Sequence, residues 1–128
     1  MNGAVGGGNK YGGLPFSSTY WWAKKTSDLI QPGPSESWVF IDEHPDSIDD
    51  TILYTDAGAT NGTGQFTELP SGEHGGACGV AFADGHAEIH KWRTGVTLAK
   101  VTYENKQRVD VTTNDDLTWL ARRTPRKP

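Results

Sequence analysis

Two stretches of this chain gather enough donor chemistry to hold a ligand or move a proton. The first, Asp42-Glu43-His44-Pro45-Asp46-Ser47-Ile48-Asp49-Asp50, packs five carboxylates, one imidazole and one hydroxyl into nine residues. Hard oxygen donors on a loop suit Ca²⁺, which takes about six to eight oxygens in flexible geometry. Carboxylates crowded together without a cation repel one another and hold their protons more tightly. Asp42, Glu43, Asp46, Asp49 and Asp50 are therefore the candidate metal ligands, and Ca²⁺ is the candidate cofactor. The spacing is not that of an EF-hand, which needs Asp-x-Asp-x-Asp-Gly and a distal Glu. The same loop also reads as a solvated acidic turn in which Asp49 or Asp50 caps the local backbone.

The second stretch is His86-Ala-Glu88-Ile-His90. On a strand, alternate residues share a face, so His86, Glu88 and His90 form a row. Beside a cation that lowers the pKa of bound water, such a row supplies the base for a small metal-dependent hydrolase acting on an ester or lactone. Its other reading is a solvated sheet face. A transition-metal site would draw His44, His74, His86 and His90 together with carboxylates, which requires a loop folded over the strand. Glu73-His74 and Asp42-Glu43-His44 are further pairs that could polarise a water. Cys78 lies near His74, but a catalytic thiol needs a lowered pKa, and the bland reading is a small buried strand residue. Gly-x-Ser-x-Gly is absent, and Pro70-Ser71-Gly72 reads as a turn.

The row must be positioned by a hairpin. Apolar alternation on both sides of Asp84-Gly85 is a strong short-range signal for a type I′ turn. With Asp84-Gly85 as a two-residue turn, strands Gly79 to Ala83 and His86 to Trp92 pair Val80 with Ile89 and Phe82 with Ala87. That register makes Val80, Phe82, Ala87 and Ile89 the core face. It sets His86, Glu88 and His90 on the opposite face, above Ala83, Ala81 and Gly79.

Around the hairpin the pattern is mostly β. Ser37-Trp-Val-Phe-Ile-Asp42 reads as a buried strand running into the acidic loop, and Thr51 to Thr55 as a second strand after it. Val96 to Tyr103 and Gln107 to Thr113 are further strand candidates. Thr26-Ser27-Asp28 offers caps for a short helical turn through Leu29 and Ile30, ended by Pro32-Gly33-Pro34. Asp115-Asp116 can cap a last turn that anchors Leu117, Trp119 and Leu120. Residues 56 to 76 read as a long irregular connection. Residues 1 to 15, with Gly3, Gly6, Gly7, Gly8, Gly12 and Gly13, read as an extended segment without its own core, followed by the aromatic group Phe16, Tyr20, Trp21 and Trp22. No internal repeat or heptad is present.

These elements fit one domain of 128 residues in the α+β class, mostly β, with a small antiparallel sheet, long loops and short helical turns. A net charge of -4 argues against a general nucleic-acid binder. The basic end, residues 122 to 128, reads as a frayed terminus and not a binding arm. One cysteine excludes an intrachain disulfide. No apolar run is long enough to span a membrane, and no targeting segment is visible, so the chain reads as soluble.

His74, nine intervening residues and then Asp84-Gly85 match an H-x9-D-G signature. With Met1-Asn2-Gly3, the run Val39 to Ile48 and Phe82-Ala-Asp-Gly-His-Ala87, the chain resembles the prepilin-type H-x9-D-G group of type II secretion pseudopilin-like proteins over most of residues 1 to 92. The resemblance implies a pseudopilin-like globular domain: a small antiparallel sheet packed on the C-terminal half of a long N-terminal helix. It implies a periplasmic or cell-surface location, other pseudopilin-like subunits or secretion components as partners, and Ca²⁺ held in a loop of the sheet region. The family's leader peptide, cleavage site and hydrophobic helix do not occur in this sequence.

Overall fold

Four consecutive β-branched or aromatic residues, Trp38–Ile41, form β1, the strand that leads into the acidic loop. In the computed structural model, which describes residues 1–5 and 21–128, it pairs antiparallel with β3 (Ala77–Phe82), and β3 pairs antiparallel with β4 (Ala87–Lys91). A second antiparallel pair joins β2 (Gly64–Phe66) to β5 (Val109–Val111). Among the described residues, one helix, α1 (Asp115–Arg122), and a 3₁₀ turn at Thr26–Asp28 accompany two small sheets, ordered β1-β3-β4 and β2-β5, in a mostly β fold. The glycine-rich stretch 6–15 and the aromatics Phe16 and Tyr20 lie outside the described residues.

The core sits between the two sheets and the helix. Trp38, Cys78, Val80, Phe82 and Trp92 from the first sheet region meet Phe66 of β2 and Leu117, Leu120 and Ala121 of α1, with Leu53 and Leu69 filling from loops. Each large side chain buried this way contributes about 1.5–3 kcal/mol of transfer free energy. The helix begins where Asn114 accepts hydrogen bonds from the amides of Asp116 and Leu117, so the cap is Asn114 and not the Asp pair. Gly62 makes this approach possible: it has φ +78, and a Cβ there would fall within 2.4–2.6 Å of Asn114 backbone atoms and Thr118 Oγ1.

The hairpin is present, but its register differs from the two-residue expectation. Val80 faces Glu88, Gly79 faces Ile89 and Cys78 faces His90. The loop holds three residues, Ala83-Asp84-Gly85. Gly85 donates its amide to the Phe82 carbonyl at 3.0 Å, and the Phe82 amide donates to the His86 carbonyl at 2.9 Å. With Gly85 at φ +95, this is a type I turn closed by a glycine bulge, which Asp-Gly accommodates as readily as the two-residue turn. A one-residue slip turns every β4 side chain to the other face. Val80 and Phe82 are core residues as expected, whereas Ile89 is 74% exposed and Ala87 is exposed.

Other expectations shift as well. Residues 51–55 form bridges in place of a strand: Leu53 with Asn2, and Thr55 with Phe66. The first residues are not coreless, because Asn2 and Ala4 are buried and Asn2 donates to the Trp38 carbonyl at 2.8 Å. The 96–103 segment is turns, not strand, while β2 lies within the stretch expected to be irregular. The basic end is tied down: the Trp38 indole donates to Thr124 Oγ1 at 3.1 Å, and the Arg126 amide donates to the Gln31 carbonyl at 2.8 Å.

Candidate functional site

The acidic loop leaves β1 along an extended stretch braced by residues 69–71. His44 donates its amide to the Leu69 carbonyl at 2.8 Å, and the Ser71 amide donates to the Asp42 carbonyl at 2.7 Å. Two of the five carboxylates, Asp42 and Asp46, take partners of their own, while Glu43, Asp49 and Asp50 act on the Glu68 side. Asp42 Oδ2 lies 3.6 Å from His74 Nε2, across the open surface above Gly79, so the histidine of the H-x9-D-G spacing meets the first acid of the loop.

Asp46 is consumed structurally. Its carboxylate accepts the amides of Thr102 at 2.8 Å and Tyr103 at 3.0 Å and pairs with Lys106 Nζ at 2.9 Å. Those interactions, the Thr102 amide foremost, hold the carboxyl down at about 2. Tyr103, whose amide is one of these donors, has φ +62 and is 95% exposed.

Glu43 faces a residue the sequence reading missed, Glu68. Glu68 is 5% exposed and accepts the Tyr54 amide at 2.7 Å. Burial pushes each carboxyl up to about 7; for Glu43 the charge of Glu68 adds to it, and for Glu68 the charges of Asp49 and Asp50 add. A buried Glu fourteen residues from its nearest hydrogen-bonded neighbour in sequence carries no local signal, so only the fold reveals the pairing. Among the described residues no three His, Cys, Asp or Glu side chains converge in an arrangement that could hold a metal ion. Asp42 and Asp46 are each turned to another partner, His74 and Lys106.

The histidines are likewise dispersed. His44 is fully buried, with Nε2–H donating to the Ala99 carbonyl at 2.8 Å and Nδ1 accepting the Asp46 amide at 3.1 Å. Both ring nitrogens are occupied, so it fastens the loop to residue 99. Because of the hairpin register, His86, Glu88 and His90 share the inner face with Phe82, Val80 and Cys78 and do not stand over Ala81 and Gly79. His86 stacks on Phe82 with ring centres 4.4 Å apart and holds Asp84 Oδ1 at 2.5 Å. His90 stacks on Trp119 at 3.8 Å and meets the edge of Trp92 at 4.6 Å, and burial there lowers its pKa. Glu88 is exposed. Cys78 is fully buried, and burial pushes its thiol up to about 12, the opposite of an activated nucleophile.

A second unpredicted residue organises the far side of the hairpin. Asp116, 2% exposed, accepts the amides of Arg93 and Thr94 and the hydroxyls of Thr94 and Thr97. It joins α1 to the turn after β4.

The hairpin register leaves apolar side chains on the outer face of the three-stranded sheet. Phe40, 58% exposed, and Ile89, 74% exposed, flank a floor of Gly79, Ala81 and Ala87, with Asp42 and its partner His74 bordering Gly79. β1 and β4 are the edge strands of this sheet. Among the described residues no helix is long and apolar enough to cross a membrane. In comparison with known proteins, the chain matches no family model, no curated protein and no solved structure.

Proposed function

We propose that this chain is a pseudopilin-like globular module of a type II secretion or type IV pilus-like system, acting by packing against other subunits or secretion components. One observation carries the reading: the outer sheet face is built from small residues between the exposed Phe40 and Ile89, with Asp42 at its border. Gly79, Ala81 and Ala87 leave room for a helix to approach the backbone, and an exposed apolar face of this kind marks an interaction surface. The H-x9-D-G spacing supports the same reading, because His74 and the Asp84-Gly85 loop lie at opposite ends of β3 and the latter sets the register that exposes the face.

Ca²⁺ belongs to this proposal as a cation drawn to the like charges of Glu43, Glu68, Asp49 and Asp50, which it would neutralise by gathering ligands that are not already converged. Millimolar Ca²⁺ at pH 8 is expected to raise the melting temperature by a few degrees, and Glu68→Gln is expected to remove most of that gain. Identical melting curves with and without Ca²⁺ would take the cation out of the account and leave the sheet-face reading in place.

The reading is tested by joining a helix of about 20 residues, with an Ala/Leu stripe on one face, ahead of Met1. The expected result is a higher melting temperature than that of the unfused chain, with the gain lost when Phe40→Lys and Ile89→Lys are introduced together. No gain in the fusion would overturn it.

A further inference from the structure

We infer that a cleft lined by Arg122, Arg123 and Arg126 docks the acidic loop of a second copy of this chain, giving a head-to-tail contact. The cleft measures about 690 Å³ and lies between the end of α1 and the 30–36 loop, with Ile30, Pro32 and Glu36 on its other wall. Arg123 packs over Trp119 at 4.3 Å and Arg126 donates to the Arg122 carbonyl at 3.1 Å, which orients both guanidiniums. None of the three forms an ion pair among the described residues. Guanidiniums that form no ion pair, in a cleft whose lining holds one carboxylate, Glu36, against three arginines, are suited to bidentate recognition of carboxylates.

The complementary charge is on the same molecule but out of its own reach. The Trp38 amide donates to the Arg123 carbonyl at 3.2 Å, so the cleft adjoins the start of β1, whereas the acidic loop departs from the strand's other end. Four residues of strand set the two poles about 13 Å apart at the backbone. Asp49 and Asp50 are exposed, and the Asp42 side chain is 57% exposed. Burial raises both Glu43 and Glu68, with the charge of Glu68 adding at Glu43 and those of Asp49 and Asp50 adding at Glu68, and an incoming cationic surface offsets the like-charge part of that cost. Because two different surfaces meet, the contact is heterologous and can repeat from copy to copy.

The test is sedimentation of the native chain and two charge-reversed variants, with folding of each checked by circular dichroism. One variant carries Arg122→Glu and Arg126→Glu, leaving the Trp119-packed Arg123 alone; the other carries Asp49→Lys and Asp50→Lys. At low ionic strength and several hundred micromolar the native chain should associate beyond dimer, and 0.5 M NaCl should weaken this at least tenfold. Each variant alone should be monomeric, and their mixture should associate again, because the native cleft meets the native loop and the reversed cleft meets the reversed loop. A monomeric native chain, association that survives in either variant, or a mixture that stays monomeric would overturn the inference. So would inorganic phosphate at low millimolar concentration stabilising the native chain but not the arginine variant while the chain remains monomeric, which would mark a small-anion site. The contact uses neither Phe40 nor Ile89, so its failure leaves the sheet-face reading untouched.

Discussion

The Phe82 amide donates to the His86 carbonyl at 2.9 Å, and this single bond decides which side of β4 faces the core. Moved by one residue, the same hairpin would bury Ile89 and lift His86, Glu88 and His90 onto the open face. As it stands, His86 and His90 meet Phe82, Trp92 and Trp119, and Ile89 is left exposed.

Gly85 is the residue on which that register depends. A Cβ there would meet nothing within 4 Å, so the cost of substitution is purely that of φ +95. Gly85→Ala is expected to destabilise the chain by about 1–2 kcal/mol in chemical denaturation, and D-alanine at the same position to restore it. Cross-strand NOEs in the native chain should pair Val80 with Glu88. A Val80 to Ile89 pairing would mean the two-residue turn.

Asp116 should be far less tolerant than its neighbour Asp115. Its carboxylate is the shared acceptor for Arg93, Thr94 and Thr97, all of which donate. Both Asp116→Ala and Asp116→Asn are expected to cost about 3 kcal/mol, because Asn presents a donor to donors. Asp115→Asn, at an exposed position, should change stability by less than about 0.5 kcal/mol. Equal effects at the two positions would refute the assignment.

Glu43 and Glu68 give stability a defined pH profile. Both carboxyls are raised from 4.5 to about 7 in the fold, so the folded state keeps protons that the unfolded chain has released. Their contribution is fully present below about pH 4.5 and is lost as the pH rises through about 7. Asp46 acts oppositely: lowered from 3.8 to about 2, it stabilises above about 3.8 and that part is lost as the pH falls toward 2. Stability without added cation should therefore peak at about pH 4–5. Glu68→Gln, which keeps an acceptor for the Tyr54 amide, should flatten the decline toward pH 8. A native chain most stable at pH 8 without divalent cations would contradict this.

How much of this was legible follows from where each signal resides. β1 was readable because Trp38-Val-Phe-Ile41 is a continuous strand-forming run, and the hairpin was readable as an element because Asp-Gly marks a turn. Its register was not, since two- and three-residue loops both accept Asp-Gly and only burial against α1 separates the faces. β2, Gly64-Gln-Phe66, is too short to carry a period. The acidic loop was visible as composition, but its division among His74, Lys106 and Glu68 depends on contacts from residues distant in sequence. Asp116 read as helix-start charge because its acceptor role involves a turn about twenty residues upstream.

The central claim, that the outer sheet face receives a helix, is tested most directly by thiol labelling. The background is silent, because Cys78 is the single cysteine, fully buried, with its thiol pushed up to about 12. In an Ile89→Cys variant the chain alone should react with maleimide at the rate of an exposed thiol. With the helix joined ahead of Met1, the rate should fall at least tenfold, while Glu104→Cys, exposed on a loop outside that sheet, should react equally in both forms. Equal rates at position 89 with and without the helix would contradict the account.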